Sequence, residues 1–169
     1  MRDAVDDFLD QWRAQRGDLD LDAMGAVGRI LRLSRLVNGH LKEYFAQYDM
    51  ETWEFDVLAT LRRSSRPLTA KELAASVMIG SAALTNRVDR LVARGLVVRE
   101  PVQGDRRSLH IALTDKGGEL VDRTVQGHVH NQRKILSGLD NDATDELNQL
   151  LRTLLASLGD VRRGPAGGR

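Results

Sequence analysis

Cysteine is absent from the 169 residues, which excludes disulfides, thiolate metal sites and thiol-based redox sensing. No apolar run approaches the ~20 residues that a helical membrane span needs. The acidic N-terminal stretch lacks the basic-then-apolar order of a signal peptide, so a cytoplasmic protein is expected. Aromatic residues amount to only 4%, so each Trp, Tyr and Phe marks a position worth following. Neither sign of charge dominates, since the formal net charge is +1. There is no glycine-rich phosphate loop, Ser-His-Asp arrangement or nucleophile elbow, so no catalytic residue is assigned and an enzyme is not expected. His128 and His130, two apart on a helix, do not face each other, and His40 and His110 are distant in the chain; no metal site is expected.

What the chain does have is a segregation of charge. Residues 1–22 carry seven Asp against three Arg, a balance of −4, whereas residues 81–110 carry six Arg against two Asp and one Glu, a balance of +3. Basic charge concentrated on one short stretch either tracks a phosphate backbone or forms a solvated face.

The spacing of apolar residues predicts the elements. Val5, Phe8, Leu9 and Trp12 fall at i, i+3, i+4 and i+7, which predicts a short amphipathic helix. A long helix is predicted from Met24 to about Tyr48, with Val27, Ile30, Leu31, Val37, Leu41, Tyr44, Phe45 and Tyr48 on its buried side. Glu51 to about Ser64 reads as a central helix, apolar nearly all round. Asp56 inside it is either paired within the core or placed on the one wet edge. After a break at Arg66-Pro67-Leu68, Thr69 and Glu72 make the S/T-x-x-E capping box that opens a helix to about Val77.

Met78-Ile79-Gly80 then reads as a turn, and Ser81 as the cap of a further helix that ends at Gly95. Leu84, Val88 and Leu91 form its buried stripe, which turns Ala83, Thr85, Asn86, Asp89 and Arg90 outward. Ser81, Ala83, Thr85, Asn86 and Arg90 are therefore the candidates to meet a DNA major groove. Leu96–Val102 and Ser108–Leu113 are β-branched-rich runs around a predicted turn, Gln103–Arg107, whose Arg106 and Arg107 suit a minor groove or phosphate track. Thr114-Asp115 caps another long helix, with Leu120, Val121, Val125 and Val129 as apolar positions. Beyond a break near Asp140-Asn141-Asp142, Leu147, Leu150, Leu151, Leu154, Leu155 and Leu158 make a leucine stripe too apolar to stay in water. The predicted fold is mainly α with a small β-hairpin wing (α+β), a winged helix-turn-helix.

The run RLVARGLV, the wing GDRRS and the following IALTDKG resemble the MarR family of transcription regulators over residues 24–158. The resemblance implies a winged helix-turn-helix whose N- and C-terminal helices form a homodimer. The expected organisation is an extra N-terminal helix and connection at 1–22 and dimerisation helices at 23–50 and 114–160. The DNA-binding domain is expected at 51–113 and a disordered tail at 161–169. A narrower resemblance, to the urate-responsive branch of that family, rests on Trp12, Phe55-Asp56-Val57-Leu58, Thr85-Asn86-Arg87 and Leu96-Val97-Val98-Arg99. That branch uses a Trp, an Asp and two Arg to hold an anionic purine, which places the ligand on Trp12, Asp56, Arg87 and Arg99. Arg87 sits on the shoulder of the buried stripe, three after Leu84 and four before Leu91, so it faces either inward or toward a phosphate. Trp12 is either a ligand cover or packing for an added helix, and Arg99 either a ligand contact or a phosphate or salt-bridge residue.

The function expected on these grounds is a ligand-responsive repressor on a palindromic operator of double-stranded DNA, with half-sites ~34 Å apart. Its effector would be a small anion such as urate, with no other cofactor and no membrane partner. A constitutive dimeric DNA binder and a winged-helix protein-interaction module are the alternatives.

Overall fold

The computed structural model describes residues 1–64, 66–77, 84–102 and 105–160, with the backbone alone described at 102 and 105–108. Among the described residues, seven helices and three strands follow one another as α1 (Ala4–Gln15), α2 (Asp22–Ala46), α3 (Thr52–Ser64), β1 (Leu68–Thr69), α4 (Ala70–Ser76), α5 (Leu84–Ala93), β2 (Val97–Val102), β3 (Asp105–Leu113), α6 (Asp115–Ile135) and α7 (Asn141–Ser157). The chain divides into two compact units, Met1–Val129 and His130–Arg169.

The main core lies in the first unit. Phe45 of α2, Val57, Leu58 and Leu61 of α3, Leu73 of α4, Leu84, Val88 and Leu91 of α5, and Ile111 of β3 close on one another. All three stripe residues expected on α5 are in it. The sheet is antiparallel in the order β1-β3-β2, with Leu68 opposite Ile111 and Arg99 opposite Ile111 on the other edge. β1 falls in what the sequence presents as a chain break after Pro67. Two residues carry no alternation to read, and their strand character comes from β3 alongside.

Several helix ends form as their residues dictate. Thr69 accepts from the Glu72 N–H while the Glu72 carboxylate accepts from the Thr69 N–H at 2.8 Å, a reciprocal capping box. The Glu72 carboxyl is held down at about 2, first by Arg66 and then by its hydrogen bonds to Thr69. Asp140 caps α7 by accepting from Ala143 N–H. α5 ends on Gly95 at φ +66°, with Leu96 N–H donating to Leu91 O and Gly95 N–H to Val92 O, the paired bonds of a Schellman stop.

Thr114-Asp115-Lys116-Gly117 closes on that stop. The Thr114 hydroxyl donates to Gly95 O and accepts from Gly117 N–H, and Lys116 Nζ donates to Arg94 O. A Cβ at position 117 would collide with the Leu96 carbonyl oxygen, so only glycine lets α6 begin this close to the end of α5.

Three expectations are corrected. Val27, Ile30 and Leu31, expected on the buried side of α2, are exposed in the single chain, as are Val125 and Val129 of α6. The apolar period is present, but among the described residues of the first unit those turns are left uncovered. Phe8 and Trp12 are likewise exposed on α1, which buries Val5 and Leu9 with Leu21. Arg106 and Arg107, expected in the hairpin turn, lie in β3, because the strand begins at Asp105 opposite Val102. The expected turn at Met78-Ile79-Gly80, Ser81, Ala83 and the 161–169 tail lie outside the described residues.

Candidate nucleic-acid interface

α5 is a ten-residue helix with one strongly apolar side, so its other side is set by the burial of Leu84, Val88 and Leu91. Thr85, Asn86, Asp89 and Arg90 are exposed, and Arg87 is half-buried. Arg87 turns toward α3, where its guanidinium carbon lies 5.3 Å from the Trp53 ring centroid. Arg90 comes closer, 4.9 Å from the same ring, and donates to Glu51 Oε1 at 3.1 Å.

Arg94 completes this joint between α3 and α5. It donates to Glu54 Oε2 at 2.8 Å and to the Asp49 carbonyl oxygen at 2.7 Å. Glu54 is buried, and its Oε2 also accepts from the Glu51 N–H at 2.9 Å. Its Oε1 has no partner among the described residues. A cavity of about 630 Å³ opens here, with Lys42 and Met50 among its walls together with Trp53, Arg90 and Arg94.

The wing side is tied to α5 separately. Arg99 of β2 pairs with Asp89 at 2.6 Å. Both border a cavity of about 550 Å³ with Lys71, Thr85 and Ile111.

The four residues expected to hold a ligand are thus distributed over three places. Asp56 is half-buried on α3, one turn after Trp53, and Arg87 lies against that same Trp53. Arg99 stands on the wing side with Asp89. Trp12 is exposed on α1, a helix whose buried side chains turn to α2, where a Cβ added at Gly25 or Gly28 would press on Leu9 or Val5.

Sequence reasoning missed Trp53, Glu51, Glu54 and Arg94. Trp53 reads as one more core residue of an apolar helix, and the acids precede Arg90 and Arg94 by about forty positions. Only Glu54 left a local trace, as the Glu three residues after Glu51 at a helix start.

His128 packs tilted against Phe45 at 4.9 Å and against Phe55 at 4.8 Å between centroids, and burial lowers its pKa. Beside it, burial pushes the Tyr44 phenol up to about 12, and its hydroxyl donates to Thr124 O at 2.7 Å. Among the described residues no three His, Asp or Glu side chains are grouped to share a metal ion, and no helix is long and apolar enough to cross a membrane.

Residues 48–108 match the MarR family model, the segment that holds α3, the α3–α5 joint and the wing. The HTH-type transcriptional regulator PecS of Dickeya dadantii (strain 3937) is 41% identical over 149 residues, covering 87% of this chain and 90% of that protein. A mutant MarR from E. coli, solved in complex with operator DNA, superposes with a TM-score of 0.72 at 26% identity, covering 80% of this chain and 97% of that one. BpsR of Bordetella bronchiseptica, from a study of how 6-hydroxynicotinic acid regulates its DNA binding, has the same fold, with a TM-score of 0.69 at 23% identity over 76% of this chain and 91% of that one. With a helix-turn-helix regulator 41% identical across nearly its whole length, and α5 and the β2–β3 wing in place, the chain belongs to the MarR family of DNA-binding transcriptional regulators.

Proposed function

We propose that the protein is a homodimeric repressor whose hold on a palindromic operator is released by a small planar anion such as urate. The observation that carries the ligand reading is the position of Arg87. It stands on the DNA-reading helix, yet its guanidinium is turned inward against Trp53, one turn from Asp56 on α3. A ligand engaging Arg87 there would act on the orientation of α5 directly.

In this reading Asp56 accepts the ring N–H groups of the ligand, and Arg87 and Arg99 offer forked donors to its anionic edge. Trp12 supplies a flat apolar cover. An anion that draws Arg99 away from Asp89 would also loosen the tie between wing and α5, since an exposed pair is held weakly. BpsR, regulated by a small aromatic acid, shares the fold and supports the ligand class. The ligand shifts the protein toward a state that no longer fits DNA by at most its differential affinity for the two states.

DNA contacts are assigned to Ser81, Ala83, Thr85, Asn86 and Arg90 of the reading helix and its approach, and to Arg106 and Arg107 of the wing. The exposed apolar faces of α2 and α7 support the homodimer. The experiment is a titration with urate and related purines, following Trp fluorescence and release of the DNA upstream of the protein's own and neighbouring genes. Saturable binding with release is expected, and Arg87→Ala should lose the response. No saturable binding at millimolar ligand would remove urate and its analogues as effectors and leave the DNA-binding assignment standing.

A further inference from the structure

We infer that Glu51 is an internal stand-in for a DNA phosphate, holding Arg90 on the Trp53 ring until DNA displaces it; this rests on Arg90 being a DNA contact. Three observations point the same way. Arg90 donates to Glu51 Oε1 at 3.1 Å while both side chains remain mostly exposed, at 59% and 60%, so a solvent-borne anion can compete for the guanidinium. Glu51 is anchored at its base, its backbone N–H donating to buried Glu54, which is itself clamped by Arg94. And the Trp53 indole carries two guanidiniums, those of Arg87 and Arg90, whose mutual repulsion Glu51 offsets.

When DNA takes Arg90, a carboxylate is left unpaired beside a phosphate backbone. DNA binding therefore works against Glu51, and the pair lowers affinity for any duplex while keeping Arg90 in one orientation. An isolated exposed ion pair contributes little. Here its effect is felt at the interface, because the phosphate and Glu51 seek the same donor.

The test measures binding to a random-sequence duplex across a range of salt, since the electrostatic part of binding does not depend on sequence. Glu51→Gln is expected to bind about fivefold tighter at low salt, with the plot of log K against log salt steeper by about one ion, because Arg90 then counts as a full cation. In an Arg90→Ala background the same substitution should give no gain. Unchanged or weaker binding by Glu51→Gln, with an unaltered melting temperature, would overturn the inference. So would a gain that persists without Arg90, which would mean that Glu51 acts through the overall field. Failure of the wild-type protein to bind any duplex at low salt is the separate result that removes the DNA-binding reading, and the inference with it.

Discussion

The joint between α3 and α5 and the outer face of α2 are built from opposite materials. At the joint, charged side chains are answered one by one within the chain: buried Glu54 by Arg94, exposed Glu51 by Arg90, and the Trp53 ring by Arg87 and Arg90. On α2, and separately on α7 in the second unit, large apolar side chains stand in the open, with Leu31 67% and Leu150 63% exposed in the single chain. The first region is complete within one chain, and the second is not. A buried charge left unanswered is too costly for a native fold, so its partners come from the same chain. An apolar face this large is what a second subunit covers.

The sharpest way to break the joint is Arg94→Ala. It strands the Glu54 carboxylate in the core, and a loss of about 3 kcal/mol is expected, discounted from the usual range because Arg94 remains partly exposed. Denaturant unfolding measures it, and a loss under 1 kcal/mol would mean that the Glu54 carboxylate finds water or another donor at little cost.

Leu31→Glu should leave the fold of the single chain intact. It is expected to convert the dimer to a monomer and to weaken operator binding about 100-fold, some 3 kcal/mol of binding free energy, because a half-site alone is then engaged. Sedimentation reads the first effect and a gel shift the second. A dimer that survives would move the interface off this face.

Arg106→Ala should weaken DNA binding about tenfold, reduce the salt slope by roughly one, and leave ligand affinity unchanged. An unaltered affinity and slope would show that the wing does not touch DNA.

The smallest effect is expected at the α4 cap, where Glu72→Ala should cost about 0.5–1 kcal/mol at neutral pH. The Glu72 pKa is depressed to about 2, so its contribution is present above the ordinary carboxylate range and fades as pH falls toward 2. The difference between wild type and variant should shrink over that window. A difference independent of pH would assign the effect to helix propensity instead of the cap.

The sequence reading reached the winged helix through signals that are local. The capping box at Thr69, the stop at Gly95 and the stripe of Leu84, Val88 and Leu91 each lie within a turn or a few turns of chain, where spacing alone determines the outcome. The half-buried position of Arg87 was legible for the same reason, as the shoulder of a helical stripe. What was not legible needed two distant elements at once. β1 exists because β3 lies beside it, and Arg90 is held because Glu51, 39 residues earlier, begins α3 at the right place.

By itself, then, the sequence determined where α4 begins and where α5 ends, which side of α5 is buried, and that the leucine stripe of α7 exceeds what one chain uses. These follow from periodicity and capping, which act over a few residues. Only the tertiary structure decided what the arginines do. Hydrogen-bonded ion pairing and ring contact need approach to within a few ångströms, so Arg87 and Arg90 took Trp53, Arg94 took Glu54 and Arg99 took Asp89 according to how α3, α5 and β2 were brought together.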